Sequence, residues 1–478
     1  MNRTVGGQRN TEPDRNNPGR DATDAEMLGS AVDGYHAARQ QRSLATTRLL
    51  VTTAWDLMAE HPERPLRAAD LLAVSGVSAS SLYGRFESLH ALVEHAGLIA
   101  LAVQERRRAE QPDGWIAGHD TMGAVTRETF ASVLEQGRLP REVLATGAWS
   151  DTYLAAFGRT SRILLRDLAA AASVLLPGHT ADADRPILPT GGAGPAPGAG
   201  TPGHRRSAPG VVGDPATTYH RLLSWIHLSS AAADHLWAVI GTDRSTVDLQ
   251  SLAEVAGHLG TRLFETADVS ASTPHLVTAP VPRPPRVTGA THLGARAFGE
   301  LRIALHHEIL TRGRHVSTEA IARSVHRSRT SFFDAFGSLG AALAEVARAE
   351  QVGRIPTQVL RPRVDVPPHD LVAHLASRLH SWQDHQGITG RRLLQMAADH
   401  TDLAQEIMGQ VLNSAELLTG WYHPVFDLPE DHVRALFLLI LAAEQHAVVW
   451  GSAPLVITGP QALDALLRPL LRPGDEAG

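Results

Sequence analysis

The 478-residue chain contains no cysteine. Disulfides, thiol nucleophiles, cysteine-ligated zinc and cysteine redox sensing are therefore excluded. Lysine is absent too, so all 44 basic side chains other than histidine are arginines. With the abundant Ala, Gly and Pro, this reads as the residue usage of a GC-rich coding sequence. Aromatics are only 5 % of the chain, whereas hydrophobic residues make up 43 %, much of it Ala and Leu, which favours packed helices over sheets. No run of 18 apolar residues occurs, and the longest candidate, 435–450, is broken by Glu444, Gln445 and His446, so it reads as a buried core helix. The first residues lack the apolar stretch of a secretion signal. The expectation is a soluble, cytoplasmic protein with no membrane partner.

Several catalytic signatures are missing as well. There is no G-x-S-x-G, no P-loop, and no G-x-G-x-x-G between a strand and a helix. The glycines of 191–200 lie in a Pro- and Ala-rich stretch that cannot build a nucleotide cradle. Of the 25 histidines, His306 and His307 are adjacent, and His374, His380 and His385 are six and five apart, so neither group places ligands on one helix face. Neither an enzyme nor a bound metal or cofactor is expected.

What is present is one short pattern written twice. Residues 71–92 read LLAVSGVSASSLYGRFESLHAL, and residues 321–343 read IARSVHRSRTSFFDAFGSLGAAL. Ser78, Ser81, Leu82, Tyr83, Phe86, Ser88 and Leu89 align with Ser328, Ser331, Phe332, Phe333, Phe336, Ser338 and Leu339, 250 residues on (82 to 332). Each copy has the spacing of a helix-turn-helix: a short apolar helix, a three-residue turn, a Ser able to cap a second short helix, and an aromatic anchor. Gly76 suits the positive φ of the turn, and His326, which replaces it, belongs to a residue type enriched there.

The organisation predicted from these signals is all-α and duplicated. Residues 1–41 form a disordered tail, 42–92 the first helix-turn-helix domain, and 93–270 a first helical body with a flexible loop over 177–215. A Pro-rich linker at 271–291 leads to the second helix-turn-helix-like domain, 292–343, and a second helical body, 344–478. The overall charge is −6, but the sum conceals a difference. Residues 293–354 hold nine Arg against six acids, a net of +3, whereas 42–110 hold eight of each. A phosphate-attracting field should be stronger at the second copy.

In the first copy Leu71, Leu72, Val77, Leu82 and Phe86 can supply a core. Ala79, Ser80, Ser81, Tyr83, Gly84 and Arg85 are left on or near the outer face, with Tyr83 suited to a phosphate and Arg85 to a phosphate or a guanine edge. In the second, Arg323, Arg327, Arg329 and Thr330 make a more basic face, and Phe333 lacks the hydroxyl of Tyr83. The predicted recognition faces set Ala79, Ser80, Gly84 and Arg85 against Arg329, Thr330, Asp334 and Ala335.

These residues resemble the TetR family of bacterial transcriptional regulators, here in tandem. The stretch from Leu50 to Leu92 follows the family's L-L-x-x-x-G-V-S-x-x-x-L-Y-x-x-F-x-S-L-x-x-L pattern closely, and Ala295 to Leu343 follows it more loosely. Where the family usually has Lys after the second Ser, this chain has Leu89 and Leu339. The resemblance implies two TetR-like units, each a DNA-reading head on a ligand-binding and dimerising helical body. It implies double-stranded DNA as partner and an apolar small-molecule effector. It places DNA contacts at Arg67, Ser78, Ala79, Ser80, Ser81, Tyr83, Arg85 and Ser88, and at Thr318, Arg323, Arg327, Ser328, Arg329, Thr330, Ser331 and Phe333. Aromatic clusters in the bodies (Trp149, Tyr153 and Phe157; Trp225; Trp382 and His385; Trp421 and Tyr422) are candidates to line the effector site. The two halves are expected to pair as an internal pseudo-dimer through 217–240, 246–264, 430–450 and 460–471, on an asymmetric operator, and a homo-oligomer is compatible with the same helices. The competing reading is a protein- or ligand-binding module of the same fold with one or both heads degenerate.

Overall fold

The computed structural model describes residues 41–61, 64–110, 121–135, 215–240, 247–264, 274–279, 294–355, 368–385, 387–450 and 460–472, with short pieces between 137 and 160 and at 361–362. Among the described residues there is no strand, only isolated bridges of Val247 with Thr278 and of Phe426 with Leu471. The helices of the first half are α1 (Gln41–Glu60), α2 (Ala68–Ser75), α3 (Ala79–Tyr83), α4 (Leu89–Glu110), α5 (Met122–Glu135), α6 (Pro215–Ile240) and α7 (Leu249–Phe264). Those of the second are α8 (Ala295–Arg312), α9 (Thr318–Ser324), α10 (Arg329–Phe336), α11 (Leu339–Ala349), α12 (Pro368–His385), α13 (Gly387–Met396), α14 (Thr401–Tyr422), α15 (Glu430–Trp450) and α16 (Pro460–Leu467). The predicted disordered tail, the loop over 177–215 up to Pro215, and most of the Pro-rich linker lie outside the described residues, as does most of 144–176.

Spacing explains the packing. Leu249, Leu252, Ala256, Leu259 and Leu263 repeat every three or four residues, giving α7 one apolar face, and all five are buried. That face meets α5 at glycines: a Cβ on Gly123 would fall 2.7 Å from the Gly257 carbonyl oxygen, and one on Gly260 would fall 2.9 Å from Trp225 Nε1. The Trp225 indole N–H donates to Thr126 Oγ1 at 2.9 Å, so this buried ring is satisfied.

Helix α15 is the central element. Residues 435–446 are all buried, including Glu444, Gln445 and His446. The helix is long and apolar enough to cross a membrane, but 83 % of the window that passes is buried inside the protein. It lies along α6 of the first half and α14 of the second, while α16 also meets α6 and α7 also meets α15.

Two of the contacts between the halves form a reciprocal pair. Asp234 Oδ2 and His446 Nε2 are 3.1 Å apart, and His235 Nε2 and Gln445 Oε1 are 3.0 Å apart. Matching Asp234 with Gln445 and His235 with His446 makes each contact the image of the other. The rings of the matched pair His235 and His446 meet edge to face, centroids 6.5 Å apart. The same register shift carries Arg221 onto His432, and each of these residues reaches the last helix of the other half. His432 Nε2 meets His258 Nδ1 of α7 at 3.0 Å, while Arg221 Nε donates to the Ala465 carbonyl of α16 at 3.3 Å.

Candidate nucleic-acid interface

Each head is built from local chemistry. In the first, Arg67 is the N-cap of α2 and makes no side-chain cap. Leu71 and Leu82 are fully buried and fix the two short helices against α1 and α4. Gly76 closes α2 at φ +65°, with its N–H on the Leu72 carbonyl. A Cβ there would meet nothing within 4 Å, so the demand for glycine is conformational, not steric. Ser78 Oγ accepts from Ser81 N at 3.2 Å to cap α3, and Ser88 Oγ accepts from Ala91 N at 3.1 Å to cap α4.

The second head repeats this geometry with different residues. His326 occupies the turn at φ +56°, the conformation Gly76 adopts in the first. Ser328 Oγ accepts from Ser331 N at 3.1 Å, and Ser338 Oγ accepts from Ala341 N at 2.9 Å. Ser338 also donates to Asp402 Oδ2 at 3.0 Å, tying the head to its body. Ser317, not singled out from the sequence, caps α9 by accepting from Ala320 N, which leaves Thr318 half-buried as the first helical residue. Its signal was available, because Ser317 is a capping residue just before an apolar helix.

The outward faces differ. Ser78, Ala79, Ser80, Tyr83 and Gly84 are exposed on the first head, whereas Ser81 and Ser88 are half-buried. Arg85 is half-buried and folds back, its Nη1 donating to the Ser81 carbonyl at 3.0 Å. On the second head Arg323, Arg327, Ser328, Arg329, Thr330 and Asp334 are exposed, while Ser331 and Phe333 are half-buried. Ala335, placed on the recognition face from the sequence, is instead 1 % exposed, because α10 runs on to Phe336 and turns this residue inward.

Ion pairing decides which guanidiniums are free to act. Arg323 is held by Glu319 at 2.5 Å, Arg312 by Glu308 at 3.2 Å, and Arg348 by Glu406 and Glu345 at 2.6 Å each. Arg314 feels Asp399 and Glu94, and burial lowers its pKa. Among the described residues Arg327 and Arg329 make no such ion pair, and neither do Arg64 and Arg67 of the first head. Arg329 lies over the Phe333 ring, 5.4 Å from its centroid. On the first head Arg64 and Arg67 line a small surface cleft with Leu57, His61, Pro65, Leu66 and Asp70.

The effector candidates divide. Tyr153 and Phe157 stack at 6.2 Å, and Phe157 lies 6.0 Å from His446 of the second half. The geometry therefore brings this pair to the Asp234–His446 contact. Trp225 is buried elsewhere against Thr126, and Tyr422 packs on Phe437 at 5.9 Å, with Trp421 half-buried beside it. Trp149 lies outside the described residues, as do the side chains of Trp382 and His385.

The sequence reading missed the polar groups around the bundle axis. Burial pushes His227 and His235 down to about 3, helped by the nearby His446. Burial likewise pushes His432 down to about 4, with His258 adding to the effect. The Glu444 carboxyl is held well above the usual carboxylate range by burial, and its Oε2 has no hydrogen-bond partner. The signal was legible: Glu444, Gln445 and His446 interrupt the most apolar helix of the chain.

A further group joins the first head to the bundle. Arg138 N donates to the Met58 carbonyl at 2.8 Å, and Glu142 Oε1 accepts both from Arg138 Nε, 2.5 Å away in a buried pair, and from Leu66 N at 3.3 Å. Trp237 Nε1 donates to the Gly137 carbonyl, and the fully buried Arg141 donates to the carbonyls of Ala238 and, across the halves, Ala398. No protein-family model matches the chain, and no curated protein sequence matches it at a significant level.

Proposed function

We propose that this chain is a TetR-like, ligand-responsive and sequence-specific DNA-binding transcriptional regulator, most simply a repressor, whose two halves act as an internal pseudo-dimer on an asymmetric site. The observation that carries the reading is the repeated head. Two Ser-capped short helix pairs, 250 residues apart (82 to 332), share a left-handed turn residue (φ +65° at Gly76, +56° at His326) although the residue types differ. Reciprocal contacts across α6 and α15 support the internal pairing, since a self-complementary interface is what a two-fold dimer uses. An apolar effector acts near Tyr153 and Phe157, and segment 137–143 links that region to Met58 and Leu66 at the base of the first head. No catalytic step belongs to this proposal.

A second reading is favoured by one specific observation. Arg85 is turned back on its own helix and the first head has no net charge, which suits a protein- or ligand-binding module with a degenerate head. Mobility shift against the DNA upstream of the chain's own gene, with a scrambled duplex as control, separates the two. A shift specific to the upstream duplex supports the regulator. Equal, weak binding to both duplexes supports the module.

A further inference from the structure

We infer that the two heads read different base chemistry: α3 of the first head reads thymine methyls in an A/T-rich half-site, and Arg329 of α10 reads a guanine in the other. The inference rests on the DNA-binding reading above. Two differences between the heads, at Ala79 versus Arg329 and at Tyr83 versus Phe333, are explained together by it.

On the first head no guanidinium projects from α3. Arg85 donates to the Ser81 carbonyl of its own helix at 3.0 Å and is half-buried. What faces outward is short: the Ala79 methyl, and the Ser78 and Ser80 hydroxyls, 3.0 Å apart and bonded to each other. Val74 of α2 is 65 % exposed on the same head. Such a face lacks the forked donor that distinguishes guanine. A methyl group packs against the C5-methyl of thymine, and a serine hydroxyl accepts either base. Tyr83, 51 % exposed, keeps its hydroxyl for a phosphate.

On the second head the position of Ala79 is occupied by Arg329, the first residue of α10. Arg329 is exposed, has no ion pair among the described residues, and its guanidinium rests over Phe333, the counterpart of Tyr83. The ring restricts the long side chain before DNA arrives, which lowers the ordering cost of a bidentate contact to guanine O6 and N7. Phe333 has no use for a hydroxyl in that role. Arg329 is the only arginine of α10, whereas Arg323 lies on α9, paired with Glu319 at 2.5 Å. Arg327 sits in the turn, before the cap residue Ser328, and is assigned to the phosphate backbone.

The test is site selection by the full-length chain from a randomised duplex pool. The parent should enrich a non-palindromic site with T·A pairs in one half and a fixed guanine in the other. Arg329→Ala should abolish guanine preference in that half, a loss of roughly ten- to a hundredfold in discrimination, while the T·A half persists. Phe333→Ala should weaken the same preference and Phe333→Tyr should keep it, and Ala79→Arg should introduce a guanine in the first half. Circular dichroism checks that each variant is folded. A guanine preference unchanged in Arg329→Ala, or a palindromic site for the parent, overturns the inference while leaving DNA binding intact. Failure of the parent to enrich any sequence overturns the DNA-binding reading and the inference with it.

Discussion

Single residues set both the chemistry of the heads and the pH response of the core. Tyr83→Ala should weaken specific DNA binding, and Tyr83→Phe should lose less, on the order of 1 kcal/mol for one phosphate hydrogen bond. Fluorescence anisotropy with a selected duplex checks this, and parent-like affinity in both variants would remove Tyr83 from the interface. In the core, His227 and His235 titrate at about 3 and His432 at about 4, below the 6.5 of an unfolded histidine. Below pH 6.5 the unfolded chain therefore binds protons that the folded one refuses, and stability falls with pH. Glu444 acts in the opposite sense: its raised pKa makes the folded state refuse ionisation, which costs stability above the ordinary value of 4.5. These histidines, with His90 and His258 shifted the same way, outnumber the raised carboxyls of Glu444 and Asp56, so the urea midpoint should drop steadily between pH 6.5 and 5. Glu444→Gln should raise the midpoint at pH 7 and leave the acid limb in place. A flat profile from pH 7 to 5 would show that these histidines are not buried as described.

At the scale of elements, the turn of each head is the point where sequence and backbone meet. Both turn residues are left-handed, which costs a residue with a Cβ about 1 kcal/mol or more. His326→Gly should therefore stabilise the second head, and Gly76→Ala should destabilise the first by about 1 kcal/mol. Amide exchange of α9–α10 and α2–α3 reads each effect locally. No change in either would mean that neither turn carries the left-handed strain described. The heads were legible in the sequence because capping and turn rules are local: Ser78, Ser88, Ser328 and Ser338 announce helix starts, and Gly76 announces a stop. The membership of the core helices was legible for the same reason, through three-and-four spacing. Arg85 was not, because an arginine near a recognition helix looks the same in sequence whether it reaches outward or folds onto Ser81. Nor was Ala335, whose burial depends on α10 extending to Phe336. The cluster of Asp234, His235, Gln445 and His446 depends on two helices more than 200 residues apart, and no local rule reports such a meeting.

The whole molecule is read as two related halves sharing one bundle and presenting two unequal heads. Arg327 and Arg329 of the second head, like Arg64 and Arg67 of the first, are exposed and have no ion pair among the described residues. Arg327→Ala should weaken binding to all duplexes alike and reduce the slope of log K against log salt by about one unit. An unchanged slope would place Arg327 away from phosphate. Within the segment that joins the halves, residues 274–279 are held on the first half, the Val277 N–H donating to Ser251 Oγ at 2.9 Å and its carbonyl accepting from Asp248 N at 3.0 Å. The reciprocal contacts Asp234–His446 and His235–Gln445 then do within one chain what an isologous interface does between two. The most direct test of this account is the mass of the complex formed with a selected duplex, by light scattering at increasing protein concentration. The account predicts one chain per duplex at saturation, with the free protein monomeric. Two chains on every duplex, each pair recognising a palindrome, would contradict it.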